Sequence, residues 1–122
     1  MDKLAADFKD KGVDFYNVYT REPHAGEDYS HRNGDKRLDF TDKKATKTRQ
    51  DREANARGLI KSHGILRPIM IDIIGKDCVQ NWLGGKAPNS LTIIDREGKV
   101  AFWQIWSNAE GLKEKLQEMT QE

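Results

Sequence analysis

Pro68-Ile69-Met70-Ile71-Asp72-Ile73-Ile74 is apolar at every position but Asp72. A short, nearly continuous apolar run of this kind reads as a strand buried on both faces, as in a parallel sheet. Upstream, residues 42 to 63 read as one polar helix. Its weak apolar face, Ala45, Ala54, Ala56, Leu59 and Ile60, strengthens towards the end, and Gly64 stops it. Downstream, Asp77 is placed to cap a short helix through Leu83, which ends at Gly84-Gly85. A strand flanked by helices on both sides points to an α/β fold.

The outer segments extend the pattern. Residues 2 to 11 read as a helix with Asp2 as its cap, Leu4, Ala5 and Phe8 on one side, and Gly12 as its stop. Val13 to Tyr19 follows as a strand. Residues 21 to 42 are loop-like, punctuated by Pro23, Gly26 and Asn33-Gly34, and long ordered loops are often functional. Leu91 to Ile94 and Val100 to Ile105 form a hairpin around Asp95-Arg96-Glu97-Gly98-Lys99. Asn108 caps a final helix carrying Leu112, Leu116 and Met119. The order is α-β-α-β-α-β-β-α, without an internal repeat or a low-complexity segment.

At 122 residues the chain suits one domain, residues 1 to 122, with a single core. Charged residues reach 34%, but 21 Lys and Arg nearly cancel 20 Asp and Glu. A net charge of +1 gives no electrostatic case for nucleic acid or a membrane surface. The basic run from Lys43 to Arg57 is interrupted by Asp51 and Glu53 and reads as a solvated helix face. No apolar run approaches a membrane span, and Met-Asp-Lys-Leu is no signal segment. A single cysteine, Cys78, excludes an internal disulfide and suits a reducing cytoplasm. These features lead to the expectation of a cytoplasmic protein.

The segment Val18-Tyr19-Thr20-Arg21-Glu22-Pro23-His24-Ala25-Gly26-Glu27 carries the candidate chemistry. A strand runs straight into a loop holding Arg, Glu and His within four residues. In open α/β folds, sites collect just past the carboxyl ends of strands. A carboxylate and an imidazole two positions apart there can orient each other or share a proton. Arg21 is a candidate for an anion. His31 joins His24 and the neighbouring glutamates on a loop whose spacing matches no strong metal-ligand pattern, so no metal and no cofactor is expected. His63 reads as a helix-end residue, and Cys78 as a small buried apolar residue. Trp82, Trp103 and Trp106 are candidates for lining a pocket, although core packing is the commoner fate of such residues.

The segment from Ala87 to Val100 resembles the redoxin pattern of a proline, an apolar strand, Asp, a turn with Gly, and a second strand. More narrowly, residues 18 to 27 resemble the iodothyronine deiodinases and their bacterial redoxin-like relatives. In those proteins a strand ends in Tyr, followed by an acidic residue and then His two positions later. Pro68 to Asp72 and Trp106 also fit the bacterial relatives. The resemblance implies a thioredoxin-like three-layer α/β fold with a mixed sheet. It implies catalytic roles in proton transfer for Glu22 and His24, and a substrate groove shaped by Arg21, Pro88 and Trp106, with Pro88 in cis. The strand and redox loop that open that family's fold have no counterpart here, so the fold is expected to be truncated at its N-terminus, and Cys78 does not replace the redox residue.

In that family the missing strand lies between the strands matching 14 to 20 and 91 to 94. Either those strands close up or another chain fills the gap, which leads to the expectation of a homodimer, with exchanged elements as one form of it. The functional reading stays open in three directions. The first is a non-catalytic module that binds a protein or small-molecule ligand, or itself. The second is a thiol-dependent oxidoreductase, deiodinase-like or peroxidase-like, whose nucleophile comes from another chain or a small thiol. The third is a fragment of a longer product.

Overall fold

The structure is a computed structural model that describes residues 1–28, 30–32, 34, 36, 39–84 and 89–121, the side chain of Arg32 excepted. The chain is mixed α/β. Its helices are α1 (Asp2–Lys9), α2 (Arg49–His63), α3 (Val79–Trp82) and α4 (Ala109–Thr120), with a 3₁₀ turn at Ser30–Arg32. Its strands are β1 (Asn17–Tyr19), β2 (Ile69–Ile71), β3 (Leu91–Ile94) and β4 (Val100–Gln104).

The described strands fall into two sheets of two, not into one mixed sheet. β1 and β2 are parallel, in register Asn17↔Ile69, Val18↔Met70 and Tyr19↔Ile71. β3 and β4 are antiparallel, with an irregularity between Ile93 and Ile94. Neither pair joins the other among the described residues. The strands matching 14 to 20 and 91 to 94 therefore do not close onto each other. The Pro68–Ile74 run shortens to three residues and is not buried on both faces: Met70 is 49% exposed, and Ile73 and Ile74 are exposed beyond it. Among the described residues β2 has β1 as its one neighbouring strand and α2 as its helical cover, which leaves its other side exposed.

The core draws on both ends of the sequence. Leu4 and Phe8 of α1 pack with Leu112 and Leu116 of α4. Met1, Val13, Phe15, Leu91 and Ile93 lie against this cluster, so residues 13 to 15 serve as an extended apolar lead-in to β1. α4 is capped as expected, with the Asn108 carboxamide oxygen accepting from Gly111 N–H at 2.9 Å. The β3–β4 turn also forms as expected. Asp95 Oδ1 accepts from the backbone N–H of Glu97 and Lys99, both at 2.9 Å, and Gly98 takes φ of 78°.

Three caps differ from expectation. Met1, not Asp2, is the N-cap of α1, and Asp2 is drawn away into an ion pair with Arg67. α3 starts at Cys78 rather than Asp77. α2 starts at Arg49, not near 42, because Thr48 and Asp51 form a capping box: Thr48 Oγ1 accepts from Asp51 N–H at 3.1 Å, and the Asp51 carboxylate accepts from Thr48 N–H at 3.2 Å. Thr48→Ala is expected to cost about 1 kcal/mol, read as a lowered urea midpoint with an unchanged slope.

Candidate functional site

The loop that follows β1 is fastened to α2 by one side chain. Glu22 accepts from Tyr19 Oη at 2.7 Å, from Thr46 N–H and Thr46 Oγ1 at 3.0 Å each, and from Asn55 Nδ2 at 3.3 Å. Thr46 is available because the capping box holds the helix start back to 49 and leaves residues before it extended.

Arg52 continues the connection. It is 6% exposed; its Nε donates to Thr46 Oγ1 at 3.1 Å, and one terminal nitrogen donates to the carbonyls of Asp72 and Ile73 at 3.0 and 3.2 Å. Asp72, 4% exposed, turns its carboxylate to the backbone N–H groups of Val79 and Gln80. One polar chain thus ties the end of β1, the start of α2, the end of β2 and the start of α3. Buried polar groups are tolerated when each is partnered, and such a network fixes geometry.

Burial pushes the Glu22 carboxyl up, but the hydrogen bonds from Thr46 and Tyr19 outweigh it and hold Glu22 below its ordinary value. Burial, reinforced by donation to Glu22, pushes the Tyr19 phenol up to about 12. Glu22 is therefore held as a carboxylate with its oxygens occupied.

Val18, Tyr19, Thr20, Arg21, Glu22, Pro23, His24, Ala25, Phe40 and Lys43 line a cavity of about 350 Å³ that is open to solvent. The long loop supplies its far wall. Gly26 N–H donates to Phe40 O and Phe40 N–H to Glu27 O, both at 2.9 Å, so Phe40 is carried back to β1. The His24 and Phe40 rings lie nearly parallel, 18° apart with centroids at 6.4 Å. His24 Nδ1 is 3.8 Å from the Glu27 carboxylate, within ion-pair range when the imidazole is protonated.

The structure thus brings Arg21, Glu22 and His24 to one cavity, as the strand-to-loop reading expects. Trp106 does not line it; it stands 69% exposed after β4. Pro88, with its expected cis peptide, lies outside the described residues. Cys78 and Trp82 line a different hollow, with Lys76, Asp77 and Asn81, and Cys78 is half-buried there. His31 is exposed in the 3₁₀ turn, and His63 ends α2 with its Nδ1 2.8 Å from Ser62 Oγ. Among the described residues no group of three or more His, Cys, Asp or Glu is placed to hold a metal ion. No described helix is long and apolar enough to cross a membrane.

Arg52, Thr46, Asn55 and Phe40 are the site residues that sequence reading misses. Arg52 is hidden in the basic run, whose expected solvated face it leaves. The available signal is Thr48-x-x-Asp51: once it sets the helix start, Arg52 and Ala56 share one face four residues apart, and both are buried.

No protein-family model, curated protein sequence or solved structure matches this chain.

Proposed function

We propose that this chain is a non-catalytic binding module on a thioredoxin-like plan, and that the cavity after β1 takes a small ligand with a flat apolar body and an anionic group. The observation that carries this reading is the occupation of Glu22. A carboxylate that accepts from Tyr19, Thr46 and Asn55 shapes a loop and does not relay protons. What remains at the cavity is recognition chemistry. Val18, Pro23 and Phe40 offer apolar surface, Arg21 and Lys43 offer positive charge, the latter 3.6 Å from the Asp42 carboxylate, and His24 offers a ring that stacks with Phe40. A volume of about 350 Å³ lies in the range of small-molecule sites.

Two measurements test it. Calorimetric titration with 2-naphthoate is expected to show binding that weakens at least tenfold in Arg21→Ala/Lys43→Ala; equal affinity in the two proteins removes the cavity from the reading. Hydrogen peroxide reduction with dithiothreitol is expected to stay at the buffer rate. Turnover above buffer that falls in His24→Ala would replace the binding module with a thiol-dependent oxidoreductase using an external thiol.

A further inference from the structure

The cavity after β1 has one lining side chain of the type that changes charge near neutral pH. Glu22 is held as a carboxylate and Tyr19 as a phenol, while arginine and lysine side chains keep their charge through this range. The remaining titratable member of the lining is His24. Histidine ordinarily exchanges its proton roughly between pH 5 and 8. The His24 side chain is 49% exposed, so water reaches it.

An anion that enters this cavity meets few uncommitted positive charges. Among the described residues the cations of the lining are Arg21 and Lys43. Lys43 already stands 3.6 Å from the Asp42 carboxylate. Against these two cations are the carboxylates of Glu22 in the lining, Asp42 beside Lys43 and Glu27 behind His24. Asp39, next to Phe40, turns its carboxylate to the Thr41 N–H and hydroxyl. From α2, Asn55 reaches Glu22 and Arg52 reaches Thr46. An entering anion therefore adds to a surplus of negative charge, and a proton on the imidazole is the counter-charge that the cavity can gain from water.

The imidazole is placed for this. Its ring is nearly parallel to that of Phe40, and Phe40 is tied to the backbone of Gly26 and Glu27. Its Nδ1 lies 3.8 Å from the Glu27 carboxylate, so an imidazolium has a partner on the loop and a second one in the ligand.

We propose that the cavity takes up a proton at His24 when it takes up its anionic ligand, so that pH regulates its occupancy. The imidazolium attracts the anion and the neutral ring does not. A bound state that holds more protons than the empty one is favoured as the pH falls. Affinity thus rises on acidification and levels off once His24 is protonated in both states. This regulation rests on the binding reading of the same cavity.

The test is calorimetric titration of the full chain with 2-naphthoate, which stays ionised from about pH 5.5 to about pH 8. Near neutral pH, in two buffers of unlike ionisation enthalpy, the apparent heats are expected to differ by the uptake of a fraction of a proton per ligand. Kd is expected to fall about tenfold from the alkaline to the acidic end of the range. In His24→Gln, which keeps a planar polar side chain, the uptake is expected to vanish and Kd to stay flat. His31→Gln and His63→Gln, at residues outside the lining, are expected to behave as the parent. Binding with equal heats in both buffers and a flat Kd would overturn the proton link and leave the binding reading standing. Uptake that persists in His24→Gln would overturn the link as well. No binding at either end of the range would overturn the binding reading, and the link with it.

Discussion

Phe8→Ala is expected to remove most of the chain's stability at 25 °C. Phe8 is 2% exposed and sits among Leu4, Leu112 and Leu116. Deleting a buried phenyl ring costs about 3–5 kcal/mol through lost transfer energy and the cavity left behind. A domain of ordinary stability has only about 5–15 kcal/mol to lose. Among the described residues this one has five buried apolar side chains and none of them fully enclosed, so it belongs at the low end. Urea melts followed by circular dichroism are the measurement. Tyr16→Ala, at a residue 56% exposed, is the comparison and is expected to stay within about 0.5 kcal/mol of the parent. Equal midpoints for the two variants would mean that the α1–α4 cluster is not the core.

Arg52→Ala is the second large effect, expected at about 2–4 kcal/mol. It removes the donor to Thr46 Oγ1 and to the carbonyls of Asp72 and Ile73, leaving buried acceptors without partners. Arg52→Lys is expected to recover little, because the compact ammonium cannot reproduce a fork that reaches three acceptors. Recovery of more than half the loss by lysine would reduce Arg52 to a point charge.

The same network sets the pH limits. Glu22 is held below its ordinary value of 4.5 when folded, so its contribution is present above that pH and is lost as the pH falls through the folded value. Tyr19 is raised from 10.0 to about 12, so its contribution is complete below pH 10 and is lost as the pH rises towards 12. Glu22→Gln is expected to flatten the acid limb, with an effect discounted for the solvent that reaches the loop. An unchanged acid limb would place its cause elsewhere.

Element types were legible where periodicity or turn chemistry acts locally. The α1 face of Leu4 and Phe8, the Asp95–Gly98 turn and the Asn108 cap read directly from neighbouring residues. The grouping of Arg21, Glu22 and His24 beside one hollow was legible for the same reason: they follow β1 within the same segment. Two kinds of feature were not. The start of α2 depended on Thr48 and Asp51 outcompeting a helical continuation that residues 42 to 47 also permit. The role of Arg52 depended on contacts with residues twenty positions away, and no local pattern distinguishes a basic side chain facing water from one facing two carbonyls. Pairing between the strand pairs is set by long-range partners too, and β2, apolar enough for a buried strand, has a neighbour on one side only among the described residues.

The marriage of α1 to α4 governs when the protein can fold. Leu4 and Phe8 meet partners more than a hundred positions later in the sequence, at Leu112 and Leu116. Contacts of such separation demand closure of a loop of more than a hundred residues before they repay it, so this cluster forms later than the local helices and the β3–β4 hairpin. In synthesis α1 precedes α4, so Leu4 and Phe8 are made long before Leu112 and Leu116. Until α4 is made, Leu4 and Phe8 have only the earlier members of the cluster, Val13, Phe15, Leu91 and Ile93 among them, to pack against.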